Sequence, residues 1–422
     1  MGKASIIGAY NTQFGAFVEK DKNTGEIRDT KSFYDLIREA GRGAVEDAGI
    51  SFEEIDGIWI GACSPAQFVN QEHVAPLGLE VAPETMQFIP ATRTEGACAS
   101  SSVALYNAAF AVESGRFKRV LVIGVEKMNL LTTTEVAHVL ACSSYWPDEG
   151  AKGMTFPGLF AELAKGYMAQ YNYALEQLRE MFAHVSALSY RNGFENPLAH
   201  FSKGGPPHRL GLGDPEKILG LPESGKGGNP MIAYPLRLHD CSLVSDGAAA
   251  LVLAPAEEAV HDSARAVEIS GMGMACDRLA EKMRGNLHEL TAGKVAVGKS
   301  FAEAGITVKD LDFAEVHDCF SINQLLTTEA LGLSRDGRAG FDYMDGRFGP
   351  DDTCPVNLSG GLKAKGHPVG ATGASMHALA FKQLVGEPIG MAPSGNTPET
   401  GGVFNVGGSG ATNCVTVLRR LK

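Results

Sequence analysis

One cysteine and one histidine of this 422-residue chain stand where their neighbours make them reactive. The run Arg93-Thr-Glu-Gly-Ala-Cys98-Ala-Ser-Ser-Ser-Val-Ala leads small residues into an apolar helix that starts near Ala99, with Cys98 at its mouth. Unpaired N–H groups and the helix dipole at such a mouth favour a thiolate, so a lowered thiol pKa is expected. The same N–H groups can hold an oxyanion. Taken alone, the run also fits a buried structural cysteine at a tight turn. The second element is Leu358-Ser-Gly-Gly-Leu-Lys-Ala-Lys-Gly-His367-Pro-Val-Gly-Ala-Thr-Gly373. Glycine this dense suits a backbone folded closely around a ligand, and a histidine just before a helix is a credible base.

Two other patterns invite chemistry and are set aside. Gly293-Lys-Val-Ala-Val-Gly298-Lys299-Ser300 fits the phosphate-cradling loop signature, which needs a strand before it and a helix opening at Gly-Lys-Ser. Asn286–Thr291 is polar, and the residues around Gly298 read as the interior of a helix, so nucleotide hydrolysis is rejected. His239-Asp-Cys241 and His317-Asp-Cys319 repeat one triplet of zinc-binding types, but no further clustered ligands complete a four-ligand site, and no metal is expected. The eight cysteines show no zinc-finger CxxC spacing and no disulfide framework; Cys63, Cys142, Cys276, Cys354 and Cys414 read as small buried hydrophobes.

The elements that must position Cys98 and His367 repeat. Residues 48–60, AGISFEEIDGIWI, match 304–316, AGITVKDLDFAEV. Each follows an amphipathic helix (Tyr34–Ala48, Lys294–Ala304) stopped by a glycine, Gly49 or Gly305. A second pairing sets residues 98–125, ending in the strand Arg119–Val125, against 359–385 with the later strand-like Ala411–Leu418. Two matched blocks in the same order imply a duplicated α/β fold with parallel strands and right-handed crossovers. About Asn129 to His239 breaks the repeat with two helical segments, Gly158–Asn172 and Leu175–Asn192, and a Gly/Pro-rich loop. It reads as an insertion carrying binding surface.

Composition bounds the partners. Hydrophobic residues make up 44% and charged residues 20%, ordinary for a globular chain with a large core. The net charge, 37 minus 49 or −12, argues against nucleic acid or an anionic membrane as the main partner. No apolar run approaches the roughly 18–20 residues that span a bilayer, and Met1–Tyr10 lacks a secretory pattern, so cytoplasm is the expected location.

The Cys98 segment, Glu315-Val-His-Asp-Cys319-Phe and Gly366-His-Pro-Val-Gly-Ala-Thr-Gly373 together resemble the three main active-site motifs of the thiolase superfamily, in its order and approximate spacing. The resemblance covers nearly the whole chain. It implies the thiolase fold: two duplicated α/β halves in five αβαβα layers, residues 1–128 with 243–264 and residues 265–422, with a loop domain at 129–242. The His317-Asp-Cys-Phe320 form resembles the sterol-carrier-protein-type branch and related archaeal and bacterial acetyl-CoA acetyltransferases. Many of the latter work with a separate zinc-ribbon and OB-fold protein.

The resemblance further implies coenzyme A as co-substrate, acyl-CoA as ligand, and a homodimer or higher oligomer. Cys98 would be the acyl-carrying nucleophile and His367 its base. The side chains of His317 and His367 would hold an enolate oxygen. Where many thiolases carry a second cysteine before a glycine, this chain has Asn405-Val-Gly407. An amide does not titrate near neutrality, so Cys319 is the expected acid/base, and Asn405 is left to bond a thioester or a water. The N–H groups of Cys98 and Gly407 would bind a tetrahedral oxyanion, and Ser245 would lie near the pantetheine. The acyl pocket is expected from Met86–Pro90, Leu130–Val139 and Cys142–Trp146, with Phe156 and Phe160. Two alternatives are a retro-aldolase of the same superfamily acting on bulky CoA esters, whose members characteristically lack the nucleophilic cysteine, and a non-catalytic acyl-CoA-binding subunit.

Overall fold

The computed structural model describes residues 2–21, 23–263 and 265–422. Helix α1 (Phe33–Ala48) begins at a capping box, with Ser32 and Asp35 each bonding the other's backbone, and ends on Gly49 at φ 68°. Its buried stripe of Leu36, Ile37, Ala40, Ala44 and Val45 falls at helical spacing. Helix α6 (Thr291–Ala304) ends the same way on Gly305 at φ 67°. The Ala-Gly-Ile repeat is therefore a helix stop feeding a strand. The phosphate-loop look-alike lies wholly inside α6, and its backbone N–H groups from Lys294 onward are committed to that helix.

Nine strands form the main sheet among the described residues. They are β1 (Ala4–Asn11), β2 (Gly57–Gly61), β3 (Ala91–Thr94), β4 (Val120–Glu126), β5 (Gly247–Pro255), β6 (Val267–Cys276), β7 (Phe313–Val316), β8 (Thr400–Gly407) and β9 (Thr412–Arg420). The order is β7-β8-β9-β6-β1-β5-β4-β2-β3. Four strands of each half copy one another, and β3 is an extra edge strand of the first half. In β1-β5-β4-β2 and in β6-β9-β8-β7, the first two pairings are antiparallel and the third is parallel. A short antiparallel contact, Ser5 with Glu268 and Ile6 with Val267, joins them.

This topology corrects two sequence expectations. The halves are mixed, not parallel, because β5 and β9 each run antiparallel between two other strands of their half. The partner of the strand Arg119–Val125 is β8, not Ala411–Leu418, which belongs to β9 and matches β5. Apolar runs of similar length cannot be told apart from composition; their order is fixed by pairing.

Helix α2 (Ser100–Glu113) packs on β2 and β4, and α8 (Thr372–Leu384) touches strands of both halves and α2. With α1 outside one half and α6 outside the other, the layers run αβαβα. Every residue of α8 except Lys382 is buried, as a central helix requires. Between β4 and β5 the chain adds α3 (Thr133–Ala141), α4 (Phe156–Tyr171) and α5 (Leu175–Phe194). Helix α7 (Ser321–Leu331), fully buried, follows the His317 segment. Of the cysteines read as buried, Cys63, Cys354 and Cys414 are; Cys142 and Cys276 are exposed, one closing α3 and the other ending β6.

Candidate active site

The nucleophile loop is braced before any ligand arrives. Cys98 lies between β3 and α2 in a single 3₁₀ turn, Ala97–Ala99. Ala97 takes φ 51°, a left-handed conformation that costs a non-glycine residue about 1–2 kcal/mol. Ser100 ties the turn down: its hydroxyl donates to the Ala97 carbonyl at 2.6 Å and accepts from the Gly96 N–H at 3.1 Å. Cys98 is buried, and that burial pushes its thiol up to about 12, opposed by the backbone N–H groups of Gly408 and of Cys98 itself. The thiolate expected from the helix mouth is thus absent from the resting site. Desolvation outweighs the N–H groups, and a base must take the proton.

The three motifs converge on this thiol. Donor atoms of Cys98, His317 and His367 lie within 4.8 Å of one another, and all three residues are buried. The imidazoles stand almost perpendicular, 84° apart, with centroids separated by 5.2 Å. Burial, reinforced by the Lys365 charge, lowers His367 to about 3; burial, His367 and Lys365 hold His317 well below its usual range. Both rings are neutral at physiological pH. Among the described residues these three are the group close enough to hold a metal, one ligand short of a structural zinc site. His239 lies elsewhere, its Nδ1 2.8 Å from the Tyr190 hydroxyl.

Buried carboxylates hold the loops together. Asp318 accepts the Leu362 N–H at 2.6 Å and the Lys363 N–H at 3.3 Å, clamping the glycine-rich turn that carries His367. Gly361 has φ 58°, and a Cβ there would overlap this carboxylate, so the position admits only glycine. Glu315 takes the Ser359 N–H and hydroxyl at 3.1 and 2.6 Å. Glu126, pushed up to about 7 by burial, accepts the N–H groups of Cys63 and Gly370, linking the ends of β2 and β4 to the His367 turn.

A pocket of about 190 Å³ opens onto Cys98 and His367. Cys98, Cys319 and His367 form its reactive end, and Met128, Val136, Leu140, Phe156, Pro157 and Val369 its apolar walls. The segment Cys241–Val244 completes it, bridged to Phe320 at one end and His367 at the other. Of the expected walls, Leu130–Val139 and Phe156 supply lining residues. Met86–Pro90, Tyr145 and Trp146 do not line it; Cys142 lines a neighbouring cavity, and Phe160 stacks behind Phe320 at 4.4 Å.

Three other expected residues sit differently. Ser245 is wholly buried, its hydroxyl 3.0 Å from His200 Nδ1, and it does not line the pocket. Beside its own N–H, the backbone N–H that faces the Cys98 thiol is that of Gly408; Gly407 backs the loop so tightly that a Cβ would overlap the Gly96 carbonyl. Asn405 is not free for substrate. Its Nδ2 faces the Cys98 carbonyl at 3.3 Å and His317 Nδ1 at 2.9 Å, and its Oδ1 accepts from the Ser102 hydroxyl at 2.7 Å. Thr372 meets His367 Nδ1 at 2.7 Å, a role its place inside the His367 motif signals but its residue type does not.

A duplicated αβαβα core with cysteine and histidine loops meeting at its centre defines a thiolase-type acyltransferase, and the chain matches both halves of that family's pattern. Residues 4–208 match the thiolase N-terminal domain and residues 273–420 the thiolase C-terminal domain-like model. The chain belongs to the thiolase family and is an enzyme of that class. It is 37% identical to the acetyl-CoA acetyltransferase of Methanothermobacter thermautotrophicus, covering 100% of each chain. It is 38% identical to that of Methanocaldococcus jannaschii, covering 99% of each. Among solved structures, the Ltp2-ChsH2(DUF35) aldolase superposes with a TM-score of 0.78 at 21% identity, covering 99% of this chain and 98% of that one.

Proposed function

We propose that this enzyme cleaves 3-oxoacyl-CoA thioesters by thiolysis, or runs the reverse Claisen condensation, through an acyl group carried on Cys98. The observation that carries this reading is the convergence of Cys98, His317 and His367 within 4.8 Å, with Cys98 and His367 lining the reactive end of an apolar pocket beside Cys319. His367 takes the Cys98 proton as sulfur attacks the carbonyl. Backbone N–H groups of Cys98 and its neighbour Gly408 oppose the charge on the tetrahedral oxygen. His317 holds the enolate oxygen of the second thioester, and Cys319 moves the proton at the α-carbon. Coenzyme A is co-substrate, and acetyl transfer is the reading favoured by the two archaeal relatives.

The pocket walls include no lysine or arginine among the described residues, so the phosphates of coenzyme A are held outside it. The family resemblance implies a second copy of the chain or a zinc-ribbon/OB-fold protein as partner, so the test includes one. Intact-mass spectrometry after brief exposure to a panel of acyl-CoA and 3-oxoacyl-CoA esters, with and without such a partner, tests the reading. An acyl adduct lost in Cys98→Ser is expected. Binding without an adduct from any ester would replace this reading by retro-aldol chemistry or by a binding subunit.

A further inference from the structure

Acyl transfer asks opposite things of the two imidazoles: one must accept a proton from Cys98, the other must offer one to an oxygen. Both are buried and neutral, so the difference must come from their partners. Ring protonation can be assigned from those partners.

Around His317 the assignment starts with the Cys98 carbonyl, which can only accept. The Asn405 atom facing it at 3.3 Å is therefore the amide nitrogen, an orientation that also lets Oδ1 accept from the Ser102 hydroxyl at 2.7 Å. The second N–H of that nitrogen then meets His317 Nδ1 at 2.9 Å. Nδ1 must present a lone pair, which leaves the single ring proton on Nε2. That Nε2 is buried and has no hydrogen-bond partner in the protein. A satisfied acceptor on one side and an orphaned donor on the other, in a ring grouped with the nucleophile, is the signature of a group waiting for a ligand oxygen.

Around His367 the partners impose the reverse. Thr372 Oγ1 lies 2.7 Å from Nδ1 and donates its hydroxyl proton to the Pro368 carbonyl at 3.0 Å. Its remaining lone pairs face the ring, so Nδ1 carries the proton and Nε2 is bare. Turning the hydroxyl toward Nδ1 would set two oxygen lone pairs against each other at 3.0 Å.

We infer that Asn405 and Thr372 are positioning residues that lock the two histidines in opposite neutral tautomers, His317 as standing donor and His367 as standing base. The inference rests on the acyl-transfer reading above and deepens it by dividing the labour. The Cys98 proton passes to His367 Nε2 as the sulfur–carbon bond forms. The broken carbon–carbon bond leaves its electron pair on the departing thioester enolate, whose oxygen accepts from His317 Nε2–H throughout. The α-carbon takes the Cys319 proton, and His367 returns its own to Cys319. His367 can donate to the enolate only after it has taken the first proton, so the two rings are not interchangeable donors.

Long-range ¹H–¹⁵N spectra of histidine-labelled enzyme at neutral pH test this directly, with signals assigned by their loss in His317→Gln and His367→Gln. One ring protonated at Nε2 (His317) and one at Nδ1 (His367) is expected; two rings in the same tautomer, or an imidazolium, would overturn the inference. In Asn405→Asp the carboxylate demands a proton on Nδ1. There kcat is expected to fall about 100-fold, the scale of losing one oxyanion donor, with KM little changed and the acid limb of the kcat profile moved to higher pH. Asn405→Leu should lose turnover without that shift, which separates positioning from a purely structural role and serves if the Asp variant does not fold. An Asp variant with the wild-type tautomer and turnover would refute the lock. Wild-type enzyme with these tautomers but no acyl adduct on Cys98 would sink the acyl-transfer reading instead.

Discussion

Asp318→Asn probes how the His367 loop is held, and its effect can be worked out from the contacts. The carboxylate accepts two backbone N–H groups of the glycine-rich turn, at 2.6 and 3.3 Å, and is 1% exposed. Asparagine can keep one acceptor against Leu362, exchanging a charge-assisted bond for a neutral one at about 1 kcal/mol. Its amide nitrogen then faces the Lys363 N–H, leaving a buried donor unpaired at about 1–3 kcal/mol. The sum is roughly 2–4 kcal/mol. At about 2.1 cal/mol/K of unfolding entropy per residue, 422 residues give close to 0.9 kcal/mol/K. The melting temperature should therefore drop about 2–5 °C.

Turnover should suffer more than stability, because His367 lies just beyond the clamped turn and small displacements of a base can cost about 10²-fold. The assay pairs thermal unfolding with steady-state thiolysis, alongside Gly361→Ala, which attacks the same contact from the other side. The two changes should be strongly non-additive when combined. An Asn variant melting within about 1 °C of wild type with full turnover would refute the clamp.

Phe88 is 90% exposed at φ 75°, so Phe88→Gly should raise the denaturant midpoint by relieving about 1 kcal/mol of strain net of glycine's entropy; a lower midpoint would mean the ring is covered by another chain in solution. His377 is buried and lowered to about 4, donating from Nδ1 to the Gly373 carbonyl and accepting from Thr416 at Nε2. The unfolded state binds its proton below about 6.5 while the folded state does not, so stability is lost as pH falls from there toward 4, about 2 kcal/mol by pH 5. Unfolding free energies at pH 7 and 5 should differ less in His377→Gln than in wild type, and equal differences would contradict the assignment. Leu140→Ala widens the apolar pocket and should raise the kcat/KM ratio of longer 3-oxoacyl esters to acetoacetyl-CoA several-fold; an unchanged ratio would place the acyl chain elsewhere.

Local chemistry was legible without coordinates. Small residues ahead of Cys98, glycines around His367, and the Ala-Gly-Ile repeat each encode a backbone conformation within a few residues, so the loops, the outer helices and the duplication could be read directly. What stayed hidden depends on partners far along the chain. The order of β5 and β9 is set by pairing between distant strands. Asn405 meets His317 across 88 residues and Ser102 across 303, and no spacing rule announces either. The family resemblance implies Ser245 near the pantetheine, but tertiary packing turns its hydroxyl to His200. The sign of the Cys98 shift was also out of reach. The helix mouth is local and was visible in the sequence, whereas desolvation is a sum over everything that excludes water, and only the folded molecule decides which of the two prevails.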